Sequence, residues 1–145
     1  MKKQQGQSLV EMIVVIGIVV LLTTGIVVGT TTALSRSKTS QVRSDALSFA
    51  QAGVELARGI RDSGWVAFAA MGTPQTTYCV GLNGTFVAQT CSAPNINNTF
   101  TRSIILQSTT VSGVSTMKVT SRVVWGVTSN ASNVVQLITY LTQWR

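Results

Sequence analysis

The chain has 145 residues, a formal charge of +7 and no histidine, and charged residues make up only 10% of it. That length suits one domain, and so sparse a cationic balance lacks the basic, aromatic-interleaved tract of a nucleic-acid binder. With no histidine base, and with Asp45, Glu55 and Asp62 confined to one helical segment, hydrolytic triads, paired carboxylates and zinc sites all lack parts, so no enzyme activity, cofactor or metal is expected.

The N-terminus reads MKKQQGQSLVEMIVVIGIVVLL, and over residues 9–34 Glu11 is the only charge. A helix of that length spans about 39 Å, enough to cross a bilayer. An acid in a membrane segment costs roughly 2.5 to 3.5 kcal/mol on insertion scales, so Glu11 is a functional candidate in need of a partner. Gly25 and Gly29 form a small-xxx-small pair suited to close helix approach, a spacing that also arises by chance in Gly-rich membrane segments.

After Leu34 the pattern turns amphipathic. Val42, Ala46, Phe49, Gly53, Leu56 and Ile60 recur at alternating spacings of four and three, and Leu47, Ala50, Val54 and Ala57 widen that face. Arg43, Asp45, Glu55, Arg58, Arg61 and Asp62 take the other side, with Arg58 and Asp62 placed for an i,i+4 pair. Two layouts fit: one unbroken helix over residues 7–62 stopped by Gly64, or a membrane helix, a linker at 35–40 and a separate helix.

Beyond Trp65 the composition shifts to Thr, Val, Ser and Asn, and strands are expected at 77–80, 85–88, 103–111, 116–125 and 134–144. In MKVTSRVVW, Met117, Val119, Val123 and Trp125 share one face, which the amphipathic part of the helix can cover. VVQLITYLTQW puts Val134, Ile138, Tyr140 and Trp144 on one face and Val135, Leu137 and Leu141 on the other. Such a strand is either central and covered twice, or turns its second face to another subunit. Asn83-Gly84 signals a two-residue hairpin turn, which would set Cys79 opposite Ala88. Cys91 lies three residues further on, so a disulfide between Cys79 and Cys91 needs a bulge or an irregular return.

A short basic leader ending in glycine, then QSLVE and an apolar helix, resembles the class III signal of type IV pilins and pseudopilins. GVELARGIRDSGW and the ending LTQWR also look like bacterial pilin-like subunits. The resemblance implies an α+β fold: a long N-terminal helix packed on an antiparallel β-sheet. By position it divides the chain into a leader (1–6), a transmembrane and assembly half of the helix (7–34), an amphipathic half (35–64) and a β-rich head (65–145). It also implies cleavage by a prepilin peptidase between Gly6 and Gln7, and pairing of Glu11 with the new α-amino group of Gln7, most usefully that of an adjacent subunit. Where the family most often has an aromatic residue or Met as the first mature residue, this chain has Gln7, and GQSLVE is also similar to archaeal pilins and tight-adherence pseudopilins. The implied partners are the peptidase, other pilin subunits, an inner-membrane assembly platform and membrane lipid. The implied location is the cytoplasmic membrane, N-terminus inside, then an extracellular or periplasmic filament. A single-pass anchor, or a secreted β-rich domain cut near Ala33, remains as the alternative, because Lys2 and Lys3 are matched by Arg36, Lys38 and Arg43 on the far flank.

Overall fold

The computed structural model describes residues 4–126 and 133–143, with side chains from residue 9 onward. Helix α1 runs unbroken over Gln4–Ser63, so the layout with a linker at 35–40 is overturned. Ser35 and Ser40 do not interrupt it, because nothing there fixes a turn. The chain divides into two compact units, Met1–Gln41 and Val42–Arg145.

In the second unit α1 packs against a five-stranded antiparallel sheet, an α+β type IV pilin-like layout. The strands are β1 (Thr76–Val80), β2 (Phe86–Ala88), β3 (Phe100–Val111), β4 (Val114–Trp125) and β5 (Val134–Thr142), in the order β2-β1-β3-β4-β5. All five were expected near these places. A short helix α2 (Trp65–Met71) was not, and it buries Phe68. WVAFAAM is apolar, short and without a side-chain cap, so no helical start signal marks it.

Two turns set the register. β3 and β4 form a long hairpin closed by Ser112 and Gly113, both at positive φ (51° and 79°), as a type I′ turn requires. The Asn83-Gly84 turn differs from expectation by one residue. Gly84 N–H bonds the Gly81 carbonyl, and only Gly84 of the pair has positive φ. Leu82 and Asn83 are therefore the central residues and Gly84 the left-handed residue after them, which places Cys79 opposite Val87 instead of Ala88.

The helix meets the sheet through its small residues. Ala46, Ala50, Gly53 and Ala57 are buried, while Val42, Phe49, Leu56 and Ile60 lie half-buried along the margins. Leu47, expected to widen the face, is 40% exposed. Small side chains let the backbone come close, and larger residues of the sheet then fill the space. Two apolar clusters result: one joins Ala57 to Phe68, Ile104, Leu106, Met117 and Val119, the other joins Ala46 and Ala50 to Ile96, Phe100 and Val123. Arg58 takes Glu55 as an ion-pair partner at 2.6 Å, and Arg61 lies 2.8 Å from Asp62.

Gly53 marks the closest approach, since a Cβ there would collide with Ser121 Oγ and crowd Arg102 Cδ. Ser121 Oγ is itself buried and, among the described residues, has no hydrogen-bond partner. Gly53→Ala gains about 1 kcal/mol of helix propensity but costs about 1 to 3 kcal/mol by overpacking, so the head should lose stability. Adding Ser121→Ala removes the obstructing oxygen at little cost, and the double variant should recover at least the original stability. Urea midpoints of the four proteins in this cycle check the sign.

β5 is an edge strand, so the expectation of a central strand covered on both sides is overturned. Leu141 is buried and Val135 and Leu137 pack at the margin of the core, whereas Ile138 and Tyr140 face outward. Trp144 lies outside the described residues.

Candidate processing and assembly site

A soluble core helix buries one face, but the N-terminal unit does not. The apolar side chains of its helix, from Leu9 through Ile16 and Leu22 to Leu34, are exposed on every side. By length and composition this helix can cross a membrane, and none of its most apolar stretch is buried. Its threonines fit such surroundings. Thr23 and Thr24 donate to the carbonyls of Val19 and Val20 at 2.9 and 2.7 Å, and Thr30, Thr31 and Thr32 donate to those of Ile26, Val27 and Val28. Hydroxyls satisfied one turn back need no water, which removes the main penalty for carrying them into lipid. A Cβ built on Gly17, Gly25 or Gly29 meets nothing within 4 Å, so these glycines are open to a neighbouring helix.

Glu11 stands near the start of this segment, exposed and, among the described residues, without an ion-pair or hydrogen-bond partner. Gly6 and Gln7 belong to the first turns of α1. The side chain of Gln7 lies outside the described residues, as do leader residues 1–3. The carboxylate is thus set on α1 one turn beyond Gln7, with its charge uncompensated among the described residues.

In the head, Cys79 and Cys91 form a disulfide with their Cα atoms 5.2 Å apart. The irregular return that this bridge needs is supplied by residues 89–99. Asn95 holds the return in place. Its Oδ1 accepts from the Arg102 backbone N–H at 2.8 Å, and its Nδ2 donates to the Arg102 carbonyl at 2.9 Å. The side-chain amide thereby continues the ladder of β1 along β3 beyond Cys79, where β1 itself has no further residue in register. Asn97 and Asn98, both at positive φ, then turn the chain into β3.

Arg102 belongs to a head whose sequence carries no acid after Asp62, yet it is 2% exposed. Its Nε donates to the Val80 carbonyl at 3.1 Å, Nη1 to the Phe49 carbonyl at 3.3 Å and Nη2 to the Gly81 carbonyl at 2.5 Å. One guanidinium therefore ties α1, β1 and the β1–β2 loop together from β3. Burial strips its water and lowers its pKa, although an arginine stays charged at neutral pH. The signal for this role was present: in FTRSIIL, Arg102 alternates in phase with Phe100, Ile104 and Leu106, which places it on the core face.

A family model described as the prokaryotic N-terminal methylation motif matches residues 1–27. No curated protein and no solved structure matches the chain. The matched stretch contains the glycine, the carboxylate and the start of the exposed apolar helix in the order described above. Residues 1–27 are therefore a type IV pilin-like prepilin signal, and they support reading the chain as a type IV pilin- or pseudopilin-like precursor.

Proposed function

We propose that this protein is a structural subunit of a type IV pilus or related filament, with polymerisation and not catalysis as its work. Residues 1–6 are the leader, and a prepilin peptidase removes it between Gly6 and Gln7. Residues 7–34 then hold the subunit in the cytoplasmic membrane and later pack against other subunits. Residues 35–64 are the amphipathic half of the helix, which covers the sheet from Val42 onward, and residues 65–145 form the head outside the membrane, in an extracellular or periplasmic filament. An assembly platform in the membrane extracts the subunit.

The observation that carries this reading is the helix of the N-terminal unit, apolar and exposed all round, with one carboxylate near its start that is uncompensated among the described residues. Lipid covers the apolar surface before assembly and neighbouring helices cover it afterwards. The positive α-amino group of Gln7 on an adjacent subunit meets Glu11 in surroundings of low dielectric, where the attraction is strong enough to offset desolvation and fixes the register of packing.

N-terminal sequencing of protein extracted from membranes tests the processing step. The expected first residue is Gln7, and a bulky residue in place of Gly6 should leave the leader attached. A start near Leu34 would make the apolar segment an ordinary secretory signal. An intact Met1 in cells with active prepilin peptidase would make it a plain anchor.

A further inference from the structure

Within the second unit, the two flanks of α1 carry charges of opposite sign. Arg43 and Asp45 point about 200° apart around the helix axis while differing in height by only about 3 Å. Both are exposed, and neither has an ion-pair or hydrogen-bond partner among the described residues. Asp45 heads a row that continues through Phe49, Ala52 and Gly59 at helical spacing. These three residues line one side of a groove of about 820 Å³ whose other side is formed by Leu82 and Phe86. Glu55 adds a second acid to the lining, and a Cβ on Gly59 would meet nothing within 4 Å, so the groove is open. Arg102 lies at its floor, where its guanidinium is bound to carbonyls. The row on the other flank begins at Arg43 and runs through Leu47 and Val54 to Arg58 and Arg61, with three bases and no acid. Leu47 projects from it, 40% exposed.

We propose that the flank bearing Arg43 and Leu47 docks on the groove flank of a second copy of this chain, with the two α1 helices parallel and Arg43 of one paired to Asp45 of the next. Each flank supplies what the other lacks: an acid beside an open apolar groove on one, a base beside a projecting leucine on the other. The two rows also match in spacing. A displacement of two residues, about 3 Å, sets Arg43 level with Asp45 and Leu47 level with Phe49 at once. The contact rests on the filament reading, which gives every copy the same membrane orientation. Copies related by rotation about a filament axis meet through unlike flanks, so the contact is heterologous and repeats from each copy to the next. A two-fold contact would instead set Arg43 flank against Arg43 flank, or groove against groove, and bring like charges together.

The test uses the full chain in its own cells. In Arg43→Cys/Asp45→Cys the new thiols point to opposite sides of a helix and cannot close on each other. Oxidation of sheared filaments by air with a copper catalyst should therefore give a ladder of covalent dimers, trimers and longer species from the double variant, and at least about tenfold less from either single variant. As a second measurement, Arg43→Glu and Asp45→Arg, each alone, set like charges against each other and should lower incorporation into filaments by about fivefold or more. The two changes combined restore the attraction and should return incorporation to within about twofold of the natural protein. Filaments that form without a ladder, or single reversals that incorporate as well as the natural protein, would overturn the flank contact and leave the filament reading intact. A ladder from membranes of cells that make no filament of this protein would support the contact and sink the filament reading. Neither ladder nor filament, with the subunit present in the membrane, would overturn both.

Discussion

Replacing Arg102 with methionine is expected to destabilise the head by about 2 to 4 kcal/mol, seen as a lower urea midpoint with an unchanged slope. The magnitude comes from what the guanidinium leaves behind. The carbonyls of Val80 and Gly81 lose donors inside the fold, while that of Phe49 keeps a place in the α1 ladder. Each orphaned buried carbonyl costs about 1 to 3 kcal/mol. Against this stands the relief of no longer burying a charge that has no carboxylate among its hydrogen-bond partners, and relief of that kind has made some buried-charge replacements favourable. Here the carbonyl loss should win, because the acceptors lie in two separate parts of the chain, at Phe49 and at Val80-Gly81, and no apolar side chain can bond to any of them. Arg102→Lys should fall between the two, since one ammonium lacks the planar fork that reaches all three. A methionine variant as stable as the natural protein would show that the guanidinium is tolerated in the seam and does not fasten it.

The seam also explains what could be read from the sequence. β-Branched runs marked all five strands, and the spacing of Ala46, Phe49 and Gly53 marked the face of α1 that meets them. The pattern did not reveal that the small members of that face sit at the centre and the large ones at its margins. That arrangement depends on how closely two backbones approach, which is decided by the sheet as much as by the helix. The register at Asn83-Gly84 was missed by one residue for a similar reason, as the dipeptide fits two turn types and the choice rests on the φ of Asn83. Ser112-Gly113 falls in the gap between the strands expected at 103–111 and 116–125, and as a weaker signal than Asn-Gly it left the turn there undefined. Arg102 could have been placed by alternation alone, but its carbonyl partners at Phe49, Val80 and Gly81 come from distant segments. At the N-terminus nearly everything usable is local: a glycine, a carboxylate and an apolar run in fixed order. The described residues of one chain hold no partner for Glu11, and the proposed function looks for it in a neighbouring copy.

Glu11→Gln should leave cleavage, membrane insertion and the fold of the head unchanged while removing most of the variant from filaments. The change keeps size and hydrogen-bonding capacity and deletes only the charge. For the stored subunit the effect is neutral or favourable, since an acid near the membrane costs free energy and, among the described residues, this one has no partner in its own chain. In the proposed filament the sign reverses. The α-amino group of a neighbouring Gln7 would be left desolvated without its counterion, and breaking one side of a buried ion pair costs about 3 to 5 kcal/mol. A loss of that size repeated at every subunit contact is far beyond what a helical polymer absorbs, so incorporation should fall by about two orders of magnitude or more. Membrane and sheared-filament fractions, quantified alongside N-terminal sequencing, separate the two effects. A plain membrane anchor would show only the first, a variant as abundant in the membrane as the natural protein with no filament to lose. Normal incorporation of a correctly cleaved Glu11→Gln subunit would mean that the carboxylate makes no such pair, and that packing of the exposed apolar helix sets the register without it.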